Sequence, residues 1–282
     1  MTTLAVIPAR LGASRLPRKP LRHLGGAPLV VRVWERVRAI GVADRVVVAT
    51  DSAEVAAAMA AAGAECVITR ADHPSGTDRV AEVVARPEFA GVRTIVNVQG
   101  DEPFVSAEAV LGAAAIVSSG RFALGTAAAC AGAAILGDPN VVKVVAADDG
   151  RAMYFSRAAV PHLRDEADAA ARRRRDAAVR QHIGVYAYTP EALAAWVALP
   201  THALEEIERL EQLRPLAAGM AMGVALVAEP PAGGIDTEDD LVRANAAWDS
   251  AAAAAGAHFP DDGPPARRRA VAPTTNPSPG PR

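Results

Sequence analysis

The chain has 282 residues, enough for one large domain or two small ones with a substantial core. A formal charge of −2 argues against a general nucleic-acid or membrane-surface binder, and no segment reaches the ~20 apolar residues of a membrane helix. Leu4 to Ile7 is too short for the core of a signal peptide, and Cys66 and Cys130 stand apart without metal or redox spacing. A cytoplasmic protein with two small buried thiols is expected.

Leu4–Ile7 reads as a buried strand that breaks at Pro8. The loop that follows, Ala9-Arg10-Leu-Gly-Ala-Ser14-Arg15-Leu-Pro-Arg18-Lys19-Pro20, carries four cations and no acid. A stiff, donor-rich loop between strand and helix suits several phosphates. It matches neither the GxxxxGK[ST] phosphate loop nor the GxGxxG dinucleotide turn. Leu29, Val30, Val33, Trp34 and Val37 then recur at helical spacing up to Gly41. Arg45–Thr50 is a second strand, and Asp51 or Ser52 caps a helix that ends near Gly63. Glu65–Ile68 is a third strand, Thr69–Thr77 a polar loop, Asp78–Ala85 a helix, and Arg93–Val98 a fourth strand that stops at Gln99-Gly-Asp101-Glu-Pro103.

Strands that are nearly continuous apolar runs, alternating with helices, predict an α/β, Rossmann-like fold: a mostly parallel central sheet with helices on both faces. Ligands of such sheets lie beyond the carboxyl ends of the strands. The loops after Pro8, Ile68 and Val98 are therefore expected to converge on one crevice.

In the second half, Val142–Ala146 and Ala152–Phe155 read as strands flanking an Asp148-Asp-Gly150 turn. Glu166–Val179 is a charged helix whose Arg172–Arg175 run reads as a solvated face, not a nucleic-acid site. Gly184–Tyr188 is a strand, Glu191–Ala198 and Leu204–Leu213 are helices, Met222–Val227 is a strand, and Thr237–Ala254 a closing helix. From Gly256 the composition turns to Pro, Gly, Arg and Thr, so 256–282 is expected to be a disordered tail.

Asp101, just past a strand end, is either a turn residue or a hard carboxylate for Mg²⁺ beside phosphates. Asp236 precedes the last helix, where it or Thr237 could simply be the cap. His182 and Tyr186, four apart near a strand, can face the same side. Glu208, Glu211 and Gln212 share one face of the expected Leu204–Leu213 helix, opposite Leu204, Ile207 and Leu210. No Ser-His-Asp arrangement or activated cysteine stands out, and nucleotidyl transfer needs none.

These residues form a pattern that resembles the 3-deoxy-manno-octulosonate cytidylyltransferases (CMP-Kdo synthetases) of the nucleotide-sugar transferase superfamily. The likeness runs from about Leu4 to Ala247. It rests on Ile7-Pro-Ala-Arg10, Ser14-Arg-Leu-Pro17, Thr69-Arg-Ala-Asp-His73, Ser75-Gly-Thr-Asp-Arg79, Val96-Asn-Val-Gln-Gly-Asp-Glu-Pro103, Tyr154-Phe-Ser-Arg157, His182-Ile-Gly-Val-Tyr186 and Ile235-Asp-Thr237.

The resemblance implies that CTP and Kdo react to CMP-Kdo and pyrophosphate, for lipopolysaccharide or related surface-polysaccharide synthesis. It assigns the nucleotide to Pro8, Ala9, Arg10, Ser14, Arg15, Lys19, Arg70, Ser75, Gly76 and Thr77. Gln99, Arg157, His182, Tyr186, Glu211 and Gln212 would take the sugar, and Asp101 and Asp236 would hold Mg²⁺. Arg10, Lys19, Asp101 and Asp236 become the catalytic set. It further implies one nucleotidyltransferase domain over 1–255, with the nucleotide part about 1–130 and 215–255. A smaller sugar-binding and dimerisation insertion, about 131–214, would make a homodimer.

Arg18 departs from the pattern, because the family has glycine there; a positive φ at that position would strain a non-glycine residue. Two readings compete: a cytidylyltransferase for another acidic sugar, such as 8-amino-Kdo or a sialic acid, and a non-catalytic nucleotide-binding homologue. An intact Lys19, Asp101 and Asp236 weighs against the second.

Overall fold

The computed structural model describes residues 2–12, 15–228, 230 and 233–254. Ser14 and the 256–282 tail lie outside the described residues. In chain order the elements are β1 (Thr3–Ala9), the short hairpin β2 (His23–Leu24) and β3 (Ala27–Pro28), α1 (Leu29–Ile40), β4 (Arg45–Thr50), α2 (Ala53–Ala61) and β5 (Glu65–Ile68). There follow α3 (Gly76–Val84), β6 (Thr94–Asn97), α4 (Ala107–Ser118) and β7 (Leu124–Cys130). The second half adds β8 (Lys143–Ala146), β9 (Ala152–Ser156), α5 (Ala169–Ala178), β10 (Arg180–Tyr188) and α6 (Pro190–Ala198). It closes with α7 (Ala203–Glu208), α8 (Leu213–Ala217), β11 (Met222–Val227) and α9 (Glu238–Ala254).

The main sheet runs β11-β7-β10-β6-β1-β4-β5, with β8 and β9 attached through β10. β10 alone on that path is antiparallel to its neighbours β6 and β7; the β1, β4, β5 and β6 pairings and the β7–β11 pairing are parallel. The expected mostly parallel α/β sheet is thus present. Its central strands are covered on both sides. In β1, Ala5 and Ile7 pack into one core with α1, α2 and α4, while Leu4 and Val6 pack into the other with α3 and α6. Burial on both faces is why β1 reads as an unbroken apolar run instead of alternating.

Several expectations change. The Leu204–Leu213 helix is two short helices, broken where Arg209 turns left-handed at φ 54°. Of the Leu204, Ile207 and Leu210 stripe, only Leu210 is buried; Leu204 and Ile207 are exposed, Ile207 by 77%. Glu208 therefore ends α7, whereas Glu211 lies in the connection and Gln212 leads into α8. Cys130 is exposed, not buried, and Cys66 is half-buried, its thiol pushed up to about 11 by that burial. α5 is shorter than Glu166–Val179 and buries no residue, which agrees with a solvated arginine face. α4 and β7 have no counterpart in the sequence reading.

Candidate active site

The sheet order reverses between β1 and β6: from β1 the chain builds outward to β4 and β5, then crosses back to lay β6 on the other side. That switch point opens a crevice beyond the strand ends, where α/β sheets bind ligands. A cleft of about 340 Å³ lies there. The end of β1 and the loop after it line it with Pro8, Ala9, Arg10, Gly12, Arg15 and Lys19; the start of α3 adds Ser75, Gly76 and Arg79. Gln99, Gly100 and Asp101 enter from the end of β6, and Asp236 from before α9. The three loops expected to converge do converge. Gly100 permits this closeness, since a Cβ there would stand 2.7 Å from the Pro8 carbonyl oxygen.

Lys19 is the hub of the charges. Its Nζ donates to Asp101 Oδ2 at 2.5 Å and to Asp236 Oδ1 at 2.8 Å, with 13% of the side chain exposed. Burial works against its charge, but the Asp101 and Asp236 carboxylates outweigh it and hold the ammonium above its usual range. Arg15 pairs with the other Asp236 oxygen at 3.0 Å. Burial, with the Asp101 and Asp236 charges added, pushes the adjacent Glu102 up to about 7. Arg10 is exposed in the cleft wall and, among the described residues, pairs with no carboxylate.

Arg18 adopts φ 56°, ψ 30°, so the loop keeps the backbone a glycine would give it. Its guanidinium turns away to pair with Glu54 of α2 and does not line the cleft.

The capping role weighed for Asp236 falls to its neighbours. Thr237 Oγ1 accepts the Asp240 amide at 3.2 Å, and Asp240 Oδ2 accepts the amides of Asp236 and Thr237. Thr237 and Asp240 thus cap α9 reciprocally, which leaves the Asp236 carboxylate to face the cleft. Two hard carboxylate oxygens from separate elements converge on one cationic nitrogen. That donor set fits Mg²⁺, which takes one or two carboxylates and completes its shell with water and phosphate. Among the described residues no cluster of three or more His, Cys, Asp and Glu side chains offers an all-protein cage.

Arg70 is not brought to the cleft: its guanidinium reaches Asp72 at 3.0 Å on the surface. The buried arginine there is Arg79. It donates to Thr69 Oγ1, to the Arg70 carbonyl at 3.2 Å and to Asp51 Oδ2 at 3.3 Å, tying the ends of β4 and β5 to α3. Arg79 lies four residues after Ser75, on the same side of the helix that Ser75 caps.

Of the candidate sugar residues only Gln99 lines the cleft, and Glu211 reaches its wall through Ser75. Ser75 Oγ lies 2.6 Å from Asp78 Oδ2 and 2.8 Å from Glu211 Oε1 while accepting the Asp78 amide. One hydroxyl proton cannot serve two carboxylates. Burial raises the Glu211 carboxyl above its ordinary range, with the Ser75 and Thr77 hydroxyls acting against it. Below, Asn97 Nδ2 donates to Tyr188 at 3.2 Å, and Gln99 Nε2 approaches Asn97 Oδ1 at 3.5 Å. Gln212 is buried. Arg157 donates to the Glu208, Pro139 and Arg209 carbonyls. Fully buried Lys143 ties Asp138, Val141 and Arg157 together through their carbonyl oxygens.

His182 and Tyr186 do share a side of β10, their rings 5.6 Å apart. Thr126 Oγ1 lies 2.8 Å from the Val185 carbonyl and 3.0 Å from His182 Nε2. The Thr126 proton goes to Val185, so the network assigns His182 as a neutral ring donating from Nε2. Burial pushes its pKa down to about 3. The unfolded chain binds a proton near pH 6.5 that the fold refuses, so stability falls as pH drops below that value. At pH 5 the expected loss is about 2 kcal/mol relative to pH 7.5. Denaturant titrations at both pH values check it: His182→Gln should lose this component of the slope, and identical slopes would mean that His182 protonates freely in the fold.

The chain matches the cytidylyltransferase family model over residues 4–222. A 3-deoxy-manno-octulosonate cytidylyltransferase of Gemmatimonas aurantiaca is 64% identical over 249 residues, 88% of this chain and 95% of that one. The enzyme of the same name from Herminiimonas arsenicoxydans is 46% identical over 246 residues, 86% and 97% of the two chains. Among solved structures, a CMP:2-keto-3-deoxy-manno-octonic acid synthetase complexed with CTP superposes with a TM-score of 0.80 at 34% identity, covering 89% of this chain and all of that one. By these likenesses and by its switch-point cleft, the chain belongs to the 3-deoxy-manno-octulosonate cytidylyltransferase family.

Proposed function

We propose that this chain activates Kdo with CTP, forming CMP-Kdo and pyrophosphate for lipopolysaccharide or related surface-polysaccharide synthesis. The observation that carries the reading is the cleft at the β1/β6 switch point, where Arg10, Arg15 and Lys19 face Asp101 and Asp236. Nucleotidyl transfer is mostly positioning and charge neutralisation, and this set supplies both.

In the reaction the anomeric hydroxyl oxygen of the sugar bonds to the α-phosphorus, its proton passes to solvent water, and the bond to the pyrophosphate oxygen breaks, the electron pair leaving with pyrophosphate. Arg10, Arg15 and Lys19 take the charge that gathers on the leaving pyrophosphate. The loop around Ser75, Gly76 and Thr77, at the amino end of α3, holds the base and ribose. Asp101 and Asp236 would hold Mg²⁺, which supplies Lewis-acid polarisation of phosphate oxygens when bound. Gln99, His182, Tyr186, Glu211 and Gln212 orient the sugar. Arg157 offers a cation for its carboxylate; among the described residues that guanidinium pairs with no side-chain carboxylate.

The protein is further read as a cytoplasmic homodimer. Two free cysteines support a reducing compartment, and no described helix is long and apolar enough to cross a membrane. Exposed Met153 on the edge strand β9 and exposed Ile207 on α7 support a contact in the second half.

Pyrophosphate release is the test, with each of the four nucleoside triphosphates against Kdo, 8-amino-Kdo and a sialic acid, with and without Mg²⁺. Release is expected with CTP and Kdo and requires the metal. Silence with that pair at every metal concentration ends the reading.

A further inference from the structure

We propose that Lys19 is an internal counterion that occupies the divalent-cation position of the nucleotide-free site and must leave it before the metal binds. The inference rests on Asp101 and Asp236 as a cation-holding pair, and not on which nucleotide or sugar is used.

The geometry is that of a cation already in place. One ammonium sits within 2.8 Å of carboxylate oxygens from two separate elements, and most of its surface is covered. Arg15 occupies the remaining oxygen of Asp236. Two carboxylates thus face two cations. A divalent ion entering this site would meet Lys19 at contact distance, where like charges repel strongly even at an effective dielectric of about 20. It would also have to compete for oxygens that already accept charge-assisted hydrogen bonds.

The triphosphate resolves this conflict. Its oxygens give Lys19 a second anionic partner in the same cleft, reached by rotating the lysine stem while the backbone stays fixed. Departure of the ammonium then exposes both carboxylates. Nucleotide and metal therefore favour each other, and by linkage each raises the affinity for the other equally. Arg10, at the cleft wall and unpaired among the described residues, is placed to meet phosphate without any exchange.

The test is Mn²⁺ binding to the full-length, nucleotide-free protein, followed by the free-Mn²⁺ electron paramagnetic resonance signal. Wild type is expected to bind weakly. Lys19→Met, which keeps the stem and removes the charge, should bind at least 10-fold more tightly, and Lys19→Arg should remain weak. Mn²⁺ should also raise the Tm of Lys19→Met more than that of wild type, which shows the variant to be folded and the ion to be seated in it. Equal or weaker binding by Lys19→Met overturns the proposal. Asp101→Asn placed in the Lys19→Met background separates the two levels: it should abolish the gained affinity, and tight binding that survives it would remove the carboxylate pair as the cation site and the counterion role with it.

Discussion

Asp101→Asn is expected to lower the rate of pyrophosphate release by about 1000-fold, at the upper end of what removing one preorganised electrostatic group costs. The substitution keeps the shape of the side chain and removes its charge. Asp101 stands at the end of β6, and its carboxylate is 27% exposed. Lys19 retains Asp236 as a partner, and the Asp101 backbone carbonyl still accepts the Ile235 amide at 3.0 Å. The loop is therefore held together without the charge, and Tm should move by only a few degrees. Asp236→Asn should act alike. Because both carboxylates serve one cation, the double variant should be little worse than either single one, since groups acting as a unit are not additive. Pyrophosphate release and thermal melts of the three variants decide this. Wild-type turnover in Asp101→Asn would falsify its role in holding the metal, and multiplying defects in the double variant would place the two carboxylates in separate tasks.

The half of the chain built on apolar contrast was legible before the fold. β1, β4 and β5 are short runs of Val, Ile and Ala between clear breaks, and their carboxyl ends carry the polar loops, so the crevice followed from topology alone. The elements that escaped are those where the contrast vanishes. α4 reads Ala-Glu-Ala-Val-Leu-Gly-Ala-Ala-Ala-Ile-Val-Ser, apolar nearly all round. β7 reads Leu-Gly-Thr-Ala-Ala-Ala-Cys, with few strand-favouring residues. Its place in the sheet, between β10 and β11, makes it a strand.

The small residues have a reason that no local pattern displays. A Cβ on Gly125 of β7 would lie 2.6 Å from the Ala113 carbonyl of α4, and one on Gly112 of α4 would lie 2.8 Å from Ala225 of β11. Helix and sheet approach so closely that side chains are excluded. Side-chain direction was the other blind spot. Arg70 and Arg79 lie in one stretch of polar residues, and composition cannot say that the first turns to solvent while the second is buried at the cleft. Likewise the break at Arg209 splits a sequence that would continue as a helix by spacing alone.

Gly25→Ala should destabilise the protein by about 3 kcal/mol and lower Tm by roughly 5–10 °C, through left-handed strain and overpacking together. It should also slow turnover, although Gly25 does not line the cleft. Gly25 and Gly26 form the two-residue turn between β2 and β3, both with positive φ, at 53° and 83°. Such turns need that conformation at both positions. Only Gly25 has a neighbour in the way: a Cβ there would stand 2.2 Å from Trp248 Nε1, whereas one on Gly26 would meet open space. Trp248 belongs to α9, which docks on this hairpin. Asn245 accepts the Gly25 amide at 3.0 Å and donates to the His23 carbonyl at 3.2 Å, and the Arg32 guanidinium lies 4.6 Å over the Trp248 ring. The amino end of α9 carries the Thr237–Asp240 cap, and the Asp236 amide is bonded into it. Displacing Trp248 therefore tilts the helix that aims Asp236, and a misplacement of ~1 Å can cost about 100-fold in rate. Gly26→Ala supplies the comparison, losing only the conformational part, about 1 kcal/mol, with turnover near wild type. Thermal melts and pyrophosphate release on the two variants separate strain from displacement. Equal losses of activity in both would mean that the hairpin, and not the α9 contact, positions Asp236.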